Sequence, residues 1–541
     1  MKLTRDGIRD KKIWKQAGIS TPMFDIQKML ESTTESPEWV HFGAGNIFRA
    51  YIAKLSQDLL NQNLVKTGII AVESFDYEII EKAYVPFDNL SLLVGLMPDG
   101  STDKEVIASV ADSICADATD TTQWEKLHDI FKCPTLQLAS FTITEKGYAV
   151  CDSSGEYLPI VVGDIENGIK SPRHIMSIIT TLMHSRFKAG ASPLALVSMD
   201  NCSRNGEVLQ NSVLTIAKEW HKKAYVESNF IDYLSDENRV SFPWSMIDKI
   251  TPYPANDVYK ELAKLDISNM DLIKTSKNSF TAPFTNAEIP GYLVIEDKFP
   301  NGRPPFEKVK VYMADKETVN KTEKMKVTTC LNPLHTALAV YGCLLGFTTI
   351  SDMMKDADLV ALVNRLGYAE GIPVAVDPKI IKPHDFIQEV IEQRFPNPFM
   401  PDTPQRIATD TSQKVGIRFG ETIKAYTANP NLDTSSLVAI PLAIAAWLRY
   451  LLALDDNGKK ITLSPDPMLD EMQEHLKNIR FGEPNSLKNQ LRPILSNTSI
   501  FGVDLYEARL GEKIENYFRE MIIKPGSVRN SITSLKNMPL N

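Results

Sequence analysis

The segment Glu323-Lys324-Met325-Lys326-Val327-Thr328-Thr329-Cys330-Leu331-Asn332-Pro333-Leu334-His335 holds an amine, an amide and an imidazole within ten positions. Asn332 and His335, three apart, project from one side of a helical turn, and Lys326 lies just upstream. This set suits alcohol–ketone chemistry. Hydride transfer from a secondary alcohol needs a base for the hydroxyl proton, and a lysine partly desolvated in a cleft can have its pKa lowered toward neutrality. An amide N–H stabilises the oxygen as it gains charge, and an imidazole orients it. A structural reading stands beside this one, with Asn332 as a helix N-cap, Pro333 at the first helical position, His335 a satisfied core histidine and Lys326 an exposed lysine.

Two further clusters carry polar chemistry. In Val197-Ser198-Met199-Asp200-Asn201-Cys202-Ser203-Arg204-Asn205-Gly206, an apolar strand gives way to polar residues and then to a helix, which sets Asp200 and Asn201 at the carboxyl edge of a sheet. Asn201 is a candidate second oxyanion donor and Asp200 a candidate substrate ligand, although Asx residues also simply make turns. Further back, Gly43-Ala44-Gly45 separates a strand from an amphipathic helix, the order needed to seat a pyrophosphate at a positive helix end. Phe48 stands where a third glycine would, so the helix is expected to stand further from the strand. Glycines at such a junction can also serve geometry alone. The next strand ends at Glu73, 28 residues beyond Gly45, where a carboxylate would hold a ribose diol and repel a 2′-phosphate. That predicts NAD rather than NADP.

The elements that must position these residues follow from the hydrophobic period. From Trp39 to about Val197, short apolar runs (WVHF, GIIAVE, VIASV, TLQLASFTI, PLALVS) alternate with helix-like stretches such as IFRAYIAKLSQDLLNQ, which implies a doubly wound, mainly parallel sheet. The Pro- and Gly-punctuated stretch around 289–315 reads as strands appended to that domain. After Lys316 the pattern turns helical. The polar stretch ADKETVNKTEK sets the boundary, giving a Rossmann-like α/β domain over 1–314 and an α-helical substrate-binding domain over 315–541, with a ligand expected in the cleft between them.

Composition narrows the function classes. The 541 residues are 43% hydrophobic and 23% charged, an ordinary globular balance for two domains. A net charge of −9 without a long Lys/Arg run argues against nucleic acid as a partner. The six cysteines, Cys115, Cys133, Cys151, Cys202, Cys330 and Cys343, form no C-x-x-C pair, which predicts free thiols and no zinc site. The polar N-terminus lacks the apolar stretch of a secretory signal, so a cytoplasmic location is expected. Leu437–Leu454 is long and apolar, yet Pro441 and Arg449 interrupt it, and a buried helix is expected rather than a membrane span. Oligomeric state is not legible.

Seven ordered segments together resemble the polyol-specific long-chain dehydrogenases, the mannitol dehydrogenase family. They are HFGAGNIFRA at the glycine turn, SFTITEKGY at 140–148, VSMDNCSRNG at 197–206, VIEDKFPNGRPPFE at 294–307, EKMKVTTCLNPLH at 323–335, DTPQRIATDTSQK at 402–414 and AAWLRYLLALDDNGKKI at 445–461. The resemblance implies metal-independent, NAD(P)-linked oxidation of a secondary alcohol on a polyol or sugar acid. It places the general base on Lys326, oxyanion donors on Asn201 and Asn332, and the orienting imidazole on His335. Glu323 is implied to assist proton passage, and Arg406 and Lys414 to line the substrate site, where a cationic pair suits a carboxylate. Asn46, Phe48 and Arg49 join Gly43, Gly45 and Glu73 at the cofactor turn.

Two departures matter. The family spaces its lysine and asparagine five apart, whereas six separate Lys326 from Asn332, so a bulge or loop must absorb one residue and Lys324 stays open as the base. The family's histidine in the glycine turn is absent here, Phe48 standing directly before Arg49. The Asn-Pro-Leu-His variant resembles the fructuronate reductase branch, which implies D-fructuronate and NADH giving D-mannonate. Mannitol 2-dehydrogenase and tagaturonate reductase chemistry are the alternatives, and a nucleotide-sensing protein without turnover is the reading from another class.

Overall fold

The computed structural model describes residues 1–540 as two compact units. The first comprises Met1–Met97 and Ser101–Asn320; the second comprises Lys321–Asn541 with Pro98–Gly100.

In the first unit, six strands form one sheet: β1 (Trp39–Phe42), β2 (Ile69–Glu73), β3 (Val110–Cys115), β4 (Leu138–Phe141), β5 (Leu194–Ser198) and β6 (Val240–Ser241). Their order is β3-β2-β1-β4-β5-β6, every pairing is parallel, and the strand order reverses beside β1. This is the doubly wound Rossmann arrangement, whose ligands bind at the carboxyl ends of the strands near the reversal. Period-2 alternation explains the two-sided burial. Val40, Phe42, Ile70, Val72, Leu194 and Leu196 face helices Thr121–Lys132, Ile175–Lys188 and Asn205–Lys222. Trp39, Ile69, Ala71, Ala195 and Val197 face the other layer, with Phe48, Ile52 and Leu55.

The rest of this unit was anticipated only in its appended strands. The run Val106–Val110 is not one strand, because Ala108 and Ser109 separate Thr102–Ile107 from β3. Thr102–Ile107 belongs instead to a four-stranded sheet with Ile19–Ser20, Ser91–Leu96 and Phe284–Glu288. Tyr292–Glu296 and Tyr312–Ala314 pair beside Ser245–Asp248 as the appended strands.

The second unit is helical. The helix Ala439–Tyr450 carries the apolar run around Pro441, and all twelve of its residues are buried. Arg449, also buried, donates to the carbonyls of Met521, Leu454 and Asp455, which satisfies a charge that no lipid could. Glu370 caps the start of this helix, accepting from the N–H groups of Val438, Ala439 and Ile440. Among the described residues no helix is long and apolar enough to cross a membrane.

Candidate active site

Every predicted site residue of the first unit sits at the carboxyl edge of the six-stranded sheet. Gly43, just past β1, has φ +101°, a left-handed conformation, and an added Cβ would collide with the Thr142 carbonyl oxygen. Gly45 differs, since nothing lies within 4 Å of where its Cβ would be. The chain then turns helical at Asn46, continues as a π-helical segment Phe48–Ile52 and ends as an α-helix Ala53–Asn61. The first N–H groups of such a helix have no intrahelical acceptor, which favours an anion at that end.

Phe48 explains the missing third glycine. Its ring stacks on His41 of β1 at 4.4 Å. His41 is itself pinned between the hydroxyls of Ser140 (2.7 Å) and Thr142 (2.8 Å), and burial pushes its imidazole down to about 3. Phe48 is fully buried, so its expected place among the cofactor ligands is corrected to a wedge beneath the turn.

Arg49 requires the same correction. It is 1% exposed, and its guanidinium donates to the Ala282 carbonyl (2.6 Å), the Thr281 hydroxyl (2.6 Å) and the Asn46 side-chain carbonyl (2.9 Å). Its charge is spent tying the turn to the segment 280–282. Asn46 also donates to the Phe280 carbonyl at 3.4 Å.

Glu73 stands at the tip of β2 as expected, but its carboxylate is not freely presented to a ribose. Oε2 accepts from Ala44 N (3.0 Å), and Oε1 from the N–H groups of Ser74 (3.0 Å), Phe75 (2.9 Å) and Asp76 (3.2 Å). Burial raises its pKa and these four donors oppose the shift. Glu73 clamps the glycine turn to the β2 loop, four backbone donors having claimed it.

Past β5, Asp200 is likewise claimed. It accepts from Ile143 N (2.8 Å), Thr144 N (3.1 Å) and the Tyr148 hydroxyl (2.7 Å), bracing the loop after β4, so its expected substrate contact is corrected to a loop brace. Asn205, which sequence reasoning passed over, locks the same loop by donating to the carbonyls of Ser198, Asp200 and Ser245 and accepting from Ser245 N. Asn201 is held between these two anchors with its side chain exposed.

In the second unit, helix Lys316–Met325 runs into a π-helical turn, Lys326–Cys330, and then into helix Asn332–Leu345. The Leu331 N–H donates to the Lys326 carbonyl at 3.1 Å, an i→i+5 bond. A π-turn holds one residue more than an α-turn, so the sixth residue between lysine and asparagine is absorbed here as a widened turn. Lys326 is 3% exposed whereas Lys324 is exposed, which separates the two candidates for the base by environment. Leu331, not Asn332, is the N-cap residue; Asn332 is the first helical residue and Pro333 the second. The capping role considered for Asn332 is thereby corrected, and its half-buried carboxamide makes no hydrogen bond among the described residues. Glu323 is half-buried on the turn before.

His335 lies one turn further, its ring stacked on Phe395 at 5.2 Å. Its Nε2 is 3.4 Å from Asp402 Oδ2 without hydrogen-bond alignment, and this buried nitrogen has no hydrogen-bond partner. Burial pushes the imidazole down to about 4; Asp402 opposes the shift, and Arg418, Arg406 and Arg394 reinforce it. The ring is neutral at pH 7, which leaves Nε2 buried without a hydrogen-bond partner.

The two cations expected to line the substrate site are only partly available. Arg406 pairs with Asp402 one helical turn back, and Lys414 donates to the Thr409 carbonyl. Burial and the neighbouring Arg418 lower the Lys414 pKa. Arg418, not singled out from the sequence, donates to the Thr336 hydroxyl at 2.5 Å. Its spacing four residues after Lys414, one helical turn, was the signal that could have found it. Arg394 and Asp402 were missed for lack of any local pattern. The second unit thus brings His335, Asp402, Arg406, Lys414 and Arg418 together, and sets Lys326 and Asn332 on the turns leading into His335.

Comparison with known proteins agrees with both units. Residues 37–308 match the model of the mannitol dehydrogenase Rossmann domain, and residues 318–522 that of the mannitol dehydrogenase C-terminal domain. A D-mannonate oxidoreductase of Thermotoga maritima is 52% identical over 98% of both chains. A mannitol 2-dehydrogenase of Pyrenophora tritici-repentis is 29% identical over 80% of this chain and 72% of its own. Among solved structures, a substrate-free D-sorbitol dehydrogenase covers 95% of this chain and 98% of its own at a TM-score of 0.77. The Pseudomonas fluorescens mannitol 2-dehydrogenase complex with NAD and D-mannitol covers both chains fully at 0.68, and each of these two structures is 25% identical in sequence. With both domain models matched in order, and a relative sharing half its residues from end to end, the chain belongs to the mannitol dehydrogenase family of oxidoreductases.

Proposed function

We propose that the chain interconverts a keto sugar acid and its alcohol, reducing D-fructuronate with NADH to D-mannonate. The observation that carries the chemistry is the burial of one primary amine, Lys326, on a π-turn that leads directly into Asn332 and His335. The 52% identity to a D-mannonate oxidoreductase supports the substrate, and the cations grouped around His335 suit its carboxylate.

When bound, the nicotinamide supplies or accepts the hydride. The cradle at Gly43 and Gly45 receives its pyrophosphate, and the Glu73 clamp keeps that cradle in shape. Lys326 moves the proton, giving it to the carbonyl oxygen on reduction and taking it from the hydroxyl on oxidation. The carboxamide of Asn332 donates to the oxygen as it gains charge, and His335 Nε2, neutral and without a hydrogen-bond partner, orients the hydroxyl. The neighbour solved with NAD, and a buried carboxylate at the β2 tip that disfavours a 2′-phosphate, support NAD over NADP. Six cysteines, none in a disulfide among the described residues, suit a reducing, cytoplasmic compartment.

Steady-state rates on D-fructuronate, D-tagaturonate and D-fructose with NADH test the substrate. The acid epimer D-fructuronate is expected to give the highest kcat/KM. A clear preference for D-fructose would overturn the acid and favour the neutral-ketose reading of the 29% identical mannitol 2-dehydrogenase.

A further inference from the structure

Three fully buried arginines spend most of their donors on the protein itself, although Arg49 Nε has no partner. Arg49 makes three hydrogen bonds, Arg186 donates to the carbonyls of Phe131, Cys133, Leu136, Ser192 and Pro193, and Arg449 donates to three carbonyls. Arg418, half-buried, is engaged far less. Its Nη1 donates to Thr336, its other N–H donors make no hydrogen bond among the described residues, and none of them is sealed from solvent. Among the described residues no carboxylate pairs with it, and burial pushes its guanidinium down to about 10. A half-buried cation with no acidic partner, whose remaining N–H groups reach solvent, is open to an anionic ligand.

Its position is equally specific. Arg418 sits on the π-helical turn Gly416–Gly420, whose end glycines lie against the backbone of Ile500 and Phe501, so that no side chain larger than hydrogen fits there. That turn packs on the π-turn bearing Lys326 and on the helix bearing His335. The Thr336 hydroxyl next to His335 takes one N–H and leaves the Nε–Nη2 edge of the fork, the edge that receives a carboxylate with two parallel hydrogen bonds.

The geometry assigns Arg418 as the group that binds the carboxylate of the sugar-acid substrate, a specificity residue resting on the substrate reading above. Arg406 and Lys414 are already engaged by Asp402 and Thr409.

The test compares wild type, Arg418→Gln and Arg418→Lys on D-fructuronate and on D-fructose, with melting temperatures measured in parallel. Losing a charge-assisted bidentate contact is expected to lower kcat/KM for the acid by roughly 10- to 100-fold, mostly through KM. The ratio of acid to neutral-ketose kcat/KM should fall with it. Arg418→Lys keeps the charge without the fork and should fall between. Equal losses on both substrates in a folded variant would make Arg418 a positioning residue and overturn the assignment. If Arg418→Gln fails to fold, Arg418→Lys decides: an unchanged acid KM overturns the proposal and a raised KM supports it. The substrate reading fails separately, if the wild type itself prefers D-fructose.

Discussion

Glu73→Gln distinguishes a clamp from a ribose ligand. In the wild type, one carboxylate oxygen serves Ala44 N and the other serves three N–H groups of the β2 loop. Glutamine offers one acceptor oxygen and one NH2, which cannot accept. The less costly orientation keeps its oxygen on the three loop donors and turns the NH2 toward Ala44, whose N–H, on a fully buried residue, then lacks a partner. That loss is on the order of 1–3 kcal/mol. If it appears wholly in the shape of the cofactor cradle, NADH binding weakens by about 5- to 150-fold. The assay is fluorescence titration with NADH and NADPH, alongside thermal melting. Weaker NADH binding, a lower melting temperature and no gain for NADPH are expected. A variant with wild-type stability and NADH affinity that has gained use of NADPH would refute the clamp and return Glu73 to the ribose.

Other outcomes follow from the same geometry. Gly43→Ala puts a side chain at φ +101° against the Thr142 carbonyl and should destabilise the first unit by about 1–3 kcal/mol. Gly45→Ala meets open space and should fold normally yet bind NADH more weakly; equal NADH affinity in a folded Gly45→Ala would move the pyrophosphate elsewhere. Because the π-turn absorbs one extra residue, deleting Val327 should leave a folded, active enzyme, whereas inserting a further residue there should abolish turnover; a folded but inactive deletion would contradict this. His335 titrates near 6.5 when unfolded and at about 4 when folded, so the folded state binds fewer protons between those values. The stability it contributes is complete above pH 6.5 and is lost as pH falls toward 4, up to about 3 kcal/mol at ~1.4 kcal/mol per unit. Melting of the second unit at pH 7.5 and pH 5 should show that loss, and His335→Gln should reduce it. An identical pH dependence in the variant would discard the assignment.

Much of the fold was legible because it rests on local period. The alternation of apolar runs with helices between Trp39 and Val197 specified the parallel sheet, and the all-apolar run near Pro441 specified a buried helix. The sheet containing Thr102–Ile107 was not, since its partners Ile19–Ser20 and Phe284–Glu288 lie far away in sequence. The site shows the same division. Residue types and spacing pointed to Lys326, Asn332 and His335, and the six-residue interval demanded the irregularity that the π-turn supplies. What sequence could not report was which polar groups were already spent. Arg49 is consumed by Thr281 and Ala282, more than 230 residues away, Glu73 by backbone N–H groups that carry no sequence signature, and Arg406 by Asp402. Arg418, in contrast, is conspicuous only once its lack of an acidic partner is visible.

The proton-transfer role of Lys326 is tested most directly by Lys326→Ala, with NADH affinity and the rate of D-fructuronate reduction measured on the same preparation. A fall in kcat of about 10²- to 10⁴-fold, with NADH binding close to wild type, is the predicted result. A folded variant that reduces the substrate at the wild-type rate would contradict the account.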